Sequence, residues 1–224
     1  VLWALSATPR DPCAGGPAHV DPKWNPTVAA RVQQGFAQSG HPDAEALFAR
    51  FAQRMNDQRA RWLDAYGAIC RATHVAHEQS KAVLDARMYC LKDSWQRTRA
   101  VVERLLAEPT RDRVGRAIDA LLAVPSIERC ESSDPTSLAS SSRDPRARER
   151  TLALAGKLAD ATARRALGDF AGATELLDEV MPQIEQAGDS QLLANTLFEQ
   201  ARLQVHDQDP KARTSFERSL SLAA

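Results

Sequence analysis

Residues 43–70 read DAEALFARFAQRMNDQRARWLDAYGAIC, and the apolar members of this stretch decide the fold class. Ala44, Phe48, Phe51, Met55, Trp62, Tyr66 and Ile69 recur at spacings of three, four and seven, which lines them along one side of a helix. Neither Gly nor Pro interrupts the pattern between 43 and 66, and Pro42 with Asp43 opens it. Downstream, Ser80 offers an N-cap. Leu84, Met88, Leu91, Trp95, Thr98, Val102 and Leu105 then alternate by four and three, close to a heptad seam, until Pro109 ends the run. Two long amphipathic helices joined by a short connection predict an antiparallel hairpin. The reading pairs Tyr66 with Trp95, Ile69 with Leu91, Trp62 with Thr98 and Met55 with Leu105.

The flanking sequence extends this all-α reading. Residues 1–25 form an irregular lead-in rich in Pro and Gly. Its apolar start, Val1–Ala7, reads either as the end of a transmembrane span or as a loose N-terminus. Asn25 and Pro26 suit the N-cap and first turn of a short helix carrying Val28, Val32 and Phe36, which Gly40 stops. A fourth helix from Thr110 to Val124 is expected to bury Val114, Ala117, Ile118, Leu121 and Leu122, completing a helical domain over 26–130. Residues 131–143 hold six Ser and almost nothing apolar, so they read as a linker. Lys plus Arg and Asp plus Glu are both 29, and a net charge of zero provides no field to draw nucleic acid or anionic lipid.

Past the linker, 144–224 carries a repeat, with helices expected near 145–167, 169–187, 189–206 and 209–223. Ala161, Gly168, Asp169, Phe170, Ala173, Leu177 and Val180 follow the pattern of a tetratricopeptide-like helical hairpin. Small residues let its helices approach, and Gly168 accepts a left-handed turn. Roughly 40 residues later Ala201, Ala212, Phe216 and Leu220 repeat it, across a turn that lacks Gly and is one residue short. Two hairpins are fewer than the three or so a solenoid needs. They must therefore pack on the first domain, be completed by another chain, or continue beyond the sequence given. Arg165, Asn195, Phe198 and Arg202 are expected on the concave face of the hairpins, where Arg and Asn suit a peptide backbone or carboxylate and Phe an apolar anchor.

Cys13, Cys70, Cys90 and Cys130 are even in number and none lies in a Cys-x-x-Cys pair, so they are either buried thiols or two disulfides. The hairpin register places Cys70 opposite Cys90, within reach of a bridge. Cys13 and Cys130 would then remain to tie the lead-in to the end of the fourth helix. A nucleophilic role for Cys70 or Cys90 would need a thiolate-stabilising base in an exposed pocket. His74, His77 and Glu78 lack the His-Glu-x-x-His order of zinc proteases and read as an exposed turn. No phosphate loop, nucleophile elbow or kinase motif is present, so the reading assigns no catalytic residue, metal or cofactor. Arg97, Arg99, Arg104, Arg111, Arg113 and Arg116 alternate with acids and read as solvated helix faces.

Certain stretches also carry a resemblance. They are Trp24-Asn25-Pro26 through Phe36, Ser39-Gly40-His41-Pro42, Cys70-Arg71-Ala72-Thr73-His74-Val75-Ala76-His77-Glu78-Gln79-Ser80 and Leu84-Asp85-Ala86-Arg87-Met88-Tyr89-Cys90-Leu91. Together they resemble the region that follows the kinase domain in bacterial serine/threonine protein kinases with C-terminal tetratricopeptide repeats. His77 stands where that family often has Gly, and the second repeat is irregular. The resemblance implies a membrane span ending near Ala7, an extracytoplasmic remainder, and a sensor that binds a protein, a peptide or a small ligand. It further implies signalling by dimerisation or by reorientation of the span. The rival expectation is a cytoplasmic tetratricopeptide scaffold with reduced cysteines.

Overall fold

The computed structural model describes residues 11–132 and 144–223, and every regular element among them is a helix. The apolar Val1–Ala7 and all but the first two residues of the Ser-rich linker lie outside the described residues. In chain order the helices are α1 (Pro17–Val20), α2 (Pro26–Gln38), α3 (Ala44–His74), α4 (Lys81–Ala107), α5 (Arg111–Leu122), α6 (Arg129–Ser132), α7 (Pro145–Ala166), α8 (Phe170–Ala187), α9 (Ser190–His206) and α10 (Ala212–Ala223). Side-chain caps fix several starts: Asn25 accepts from the Val28 amide at 3.0 Å, Ser80 from Val83 at 3.3 Å, and Asp144 from Arg146 at 3.1 Å.

α3 and α4 form the expected hairpin, but its register is set by where the chain turns. α3 runs on to His74 and α4 begins at Lys81, so residues equidistant from the 75–80 reversal meet. The Trp62 indole N–H donates to the Leu91 carbonyl at 2.8 Å and its ring lies 6.4 Å from that of Trp95. Thr98 is met by Gln58 at 3.4 Å rather than by Trp62, a displacement of one helical turn from the expected pairing. That displacement overturns the expected Cys70–Cys90 and Cys13–Cys130 bridges. The disulfides are Cys13–Cys70 and Cys90–Cys130, each with Cα atoms 5.6 Å apart.

The first bridge anchors a lead-in that descends α3 turn by turn. Beyond Cys70, Gly16 lies so close to Tyr66 and Leu63 that a Cβ there would meet their side chains at 3.0 and 3.2 Å. His19 sits against the Trp62 and Tyr66 rings, Asp21 pairs with Arg59 at 2.5 Å, and the Trp24 indole donates to Asn56 at 2.9 Å. Val20 and Trp24 are buried, so packing rather than regular structure orders this segment. The second bridge ties α6 to α4, and Asp93 reinforces it by pairing with Arg129 at 3.3 Å and Arg97 at 2.9 Å.

One hydrophobic core unites α1–α6 with one side of α7, through Ala159, Ala163 and Leu167. A second unites the other side of α7, through Leu154, Leu158 and Ala161, with α8 and α9. Paired charges follow the same joint: Arg104 with Asp160 at 2.8 Å, Arg164 with Asp160 at 3.3 Å, and Arg113 with Asp169 at 3.5 Å. The expectation that Arg97, Arg104 and Arg113 line solvated faces is corrected, since each guanidinium joins elements or sits largely covered. In α5 Val114 and Ala117 are buried as expected and Ala120 joins them, whereas Leu122, expected to be buried, is 58% exposed.

Both C-terminal hairpins close with the same backbone pattern. The Asp169 amide donates to the Arg164 carbonyl at 2.8 Å, and the Asp209 amide to the Gln204 carbonyl at 2.8 Å. Gly168 takes φ +89° in the first turn, and Gln208 takes φ +58° at the matching place in the second. His77, three residues past the end of α3, also has positive φ, at +56°, and so shares no helical face with His74. A left-handed backbone costs a non-glycine residue about 1–2 kcal/mol, offset in part by the entropy glycine loses on folding. Gln208→Gly is therefore expected to raise stability by roughly 0.5–1 kcal/mol. Gly168→Ala is expected to lower it, since its Cβ would also meet the Arg116 side chain at 3.1 Å. Urea unfolding measures both.

Burial, and then the charge of Lys92, lower the pKa of His19. A histidine whose folded pKa lies below its unfolded one loses stability as pH falls from the unfolded value, about 6.5, through the folded one. His19→Gln is expected to flatten the acid limb of the thermal midpoint measured across that window.

Candidate interaction surface

The four residues expected to line a groove come from α7 and α9, and α9 is positioned by both of its ends. Gly188, with φ +67°, closes α8, and Asp189 caps α9 by accepting from the Leu192 amide at 2.9 Å. Within α9, Leu192, Leu197, Ala201 and Leu203 are buried. Asn195, Phe198 and Arg202 then fall on the opposite side at three- and four-residue spacing.

The structure brings two of the expected residues, Arg165 and Arg202, together on one that the sequence reading missed. Glu199 is the centre: it accepts from Arg165 Nε at 2.7 Å and lies 3.5 Å from Arg202. The side chains of Arg165 and Glu199 are each 10% exposed, so this pair is a joint between α7 and α9 rather than an open grip. Arg165 is thereby corrected from groove residue to structural cation. Its neighbour Arg202 is 40% exposed, with its guanidinium 5.8 Å from the Phe198 ring centroid. Phe198 is 44% exposed and meets Phe216 of α10 edge to face at 5.5 Å. Asn195 accepts from Gln191 at 3.3 Å on the same outer side of α9.

α10 departs from the expected repeat. Ala212, Ser215 and Ser219 turn inward, and the Ser219 hydroxyl donates to the Ala194 carbonyl at 2.8 Å. Phe216 is only half-buried and Leu220 is 70% exposed, although Leu177 and Val180, which they match in the first hairpin, are buried. The inward serines were a signal available in the sequence, because a small stripe at 212, 215 and 219 competes with the large one at 216 and 220. Phe170, beside the turn between α7 and α8, reaches across to the second hairpin. Its ring stacks on His206 with centroids 3.6 Å apart, joining the start of α8 to the end of α9.

The surface can therefore offer two aromatic rings, an exposed guanidinium and an amide. Nearby, Tyr89 of α4 lies in the field of Asp93 and Asp189; burial first, and these carboxylates second, push its hydroxyl up to about 12. It remains a neutral phenol where α4 approaches the second hairpin. Among the described residues no three or more His, Cys, Asp or Glu side chains gather as a metal site, and no helix is long and apolar enough to cross a membrane.

Removing one member of a covered ion pair strands the other, at roughly 3–5 kcal/mol, while an exposed pair contributes about 0–1 kcal/mol. Glu199→Ala is thus expected to lower unfolding stability several-fold more than Arg202→Ala in parallel urea titrations. Comparisons with family models, with curated proteins and with solved structures find no match for this chain.

Proposed function

We propose that this chain is a non-catalytic protein-interaction region working in an oxidising, extracytoplasmic compartment. In this reading it is the sensing part of a receptor-type serine/threonine kinase whose kinase domain and membrane span belong to other parts of a longer protein. The observation that carries the reading is the pair of disulfides with all four cysteines buried, Cys13–Cys70 and Cys90–Cys130. Such bridges form and persist in oxidising compartments and are rare where glutathione keeps thiols reduced. Cys70 and Cys90 also lie within the stretch that carries the kinase-region resemblance.

The mechanism follows from how the lead-in is held. It is fixed along α3, so the place where the chain leaves the helical body is set by that body. A partner engaging the Asn195, Phe198 and Arg202 side of α9 would favour one arrangement of copies or one orientation of the preceding segment, and so bias activity beyond it.

The test is alkylation and non-reducing peptide mapping of protein recovered from an oxidising compartment, beside protein made under reducing conditions. Bridges 13–70 and 90–130 are expected in the first. Reduced protein is expected to lose roughly 2–5 kcal/mol for each bridge removed. Four alkylatable thiols in exported, folded protein would instead favour the cytoplasmic scaffold.

A further inference from the structure

The two disulfides differ in what covers them. Cys90 and Cys130 both belong to the larger apolar core, with Ile127 buried just before Cys130 and Arg129 paired to Asp93 beside it. Cys13 and Cys70 are buried as well, yet belong to neither core. The chain around Cys13 is thinly held. Within 11–19 only Cys13 and Gly16 are buried. Among the described residues, the hydrogen bonds of this tip stay inside the lead-in. The Cys13 amide donates to Asp11 Oδ1 at 2.8 Å, Ala14 to the Asp11 carbonyl at 3.2 Å and His19 to the Gly16 carbonyl at 3.1 Å. Against α3 the tip adds the close approach of Gly16 and the exposed ring of His19 on Trp62 and Tyr66. The residues that follow are held without the bridge. Val20 and Trp24 lie in the larger core, Asp21 pairs with Arg59, and the Trp24 indole donates to Asn56.

We propose that Cys13–Cys70 is a redox-sensitive clasp that opens in the folded protein, releasing residues 11–19 while 20–24 and the Cys90–Cys130 bridge stay in place. It rests on the extracytoplasmic reading above, because an oxidising compartment is what closes the clasp. Thiol–disulfide exchange needs a thiolate within reach of a sulfur, so a covered bridge reacts through the opening that uncovers it. For Cys13 that opening is displacement of a short, mostly exposed tip; for Cys130 it is disruption of the main core. The co-reactant is a dithiol reductant. Its thiolate attacks Cys13 Sγ, the S–S bond breaks, and Cys70 leaves as a thiolate that takes up a proton. The second thiolate of the reductant then attacks the reductant sulfur of the mixed disulfide and expels the Cys13 thiolate. Two electrons pass to the bridge, and the dithiol departs as a cyclic disulfide. The anchor of the preceding chain thereby moves from Cys13 to Val20. That frees up to about 25 Å of chain, at roughly 3.3–3.6 Å per extended residue. A connection lengthened in this way no longer carries the orientation of the helical body to what precedes it.

Disulfide-bonded protein treated with graded dithiothreitol under native conditions, quenched by alkylation and peptide-mapped, tests the order of opening. The 13–70 bridge is expected to open at least about tenfold faster than 90–130, with helical circular dichroism unchanged. Proton NMR at fixed pH reads the consequence. The His19 ring protons, shifted in the closed form by the Trp62 and Tyr66 rings, are expected to move to the positions of a solvent-exposed histidine. The Trp24 indole N–H resonance should stay where its bond to Asn56 holds it. The double variant Cys13→Ser, Cys70→Ser should reproduce both NMR readings without reductant. Earlier opening of 90–130, opening of both bridges together with loss of helicity, an unmoved His19 or a displaced Trp24 would overturn the proposal. Any of these in protein whose bridges map as 13–70 and 90–130 before reduction would leave the extracytoplasmic reading intact. Free thiols in exported, folded protein would overturn that reading and the clasp with it.

Discussion

The structure depends on α7 being buried on two sides at once. Its Ala159, Ala163 and Leu167 side packs on the first bundle, while Leu154, Leu158 and Ala161 pack with α8 and α9. A helix in that position must keep its side chains small on at least one face, and alanine does so while favouring the helix. This contact gives the first of the two C-terminal hairpins an inner neighbour, since α7 packs against the first bundle as well as against α8 and α9. Charged residues at the same joint are paired, Arg104 and Arg164 with Asp160 and Arg113 with Asp169, as charges partly removed from water require.

The disulfides act where helix packing is weakest. Among its described residues the lead-in has only the four-residue α1, and α6 is equally short, so neither could be ordered by its own hydrogen bonds. Each is tied to a long helix by a bridge that closes a loop, with sequence separations of 57 and 40, and shrinks the unfolded ensemble it competes with. Noncovalent contacts then extend outward from each bridge. Tyr66, Trp62, Arg59 and Asn56 receive the lead-in, and Asp93 receives Arg129 one turn along α4 from Cys90. A short segment so held keeps a fixed position relative to the body.

The candidate surface was legible only in part. Spacing along α9 placed Asn195, Phe198 and Arg202 on one side, because 3.6-residue periodicity is a local property. It could not reveal that Arg165 is consumed by Glu199, since that depends on the angle at which α7 and α9 cross. Nor could it choose between the two competing stripes of α10. Phe216 and Leu220 form the more hydrophobic stripe, but the close approach of α9 admits only Ala212, Ser215 and Ser219.

By itself the sequence determined the eight longer helices among the described residues, several of their caps and the breaks at Pro109 and Gly168, but not the four-residue α1 and α6, because the former are governed by propensity, periodicity or a turn within a few residues. Tertiary structure decided the register of α3 against α4, the pairing of the four cysteines, and which arginines are solvated. Those outcomes hinge on where a reversal falls. Ending α3 at His74 shifts every partner on α4 by one turn, and periodicity is unchanged by such a shift. A seam repeating every three or four residues fits each register almost equally well. Only the summed packing of Trp62, Trp95 and the docked lead-in selects the one that brings Cys13 to Cys70 and Cys130 to Cys90.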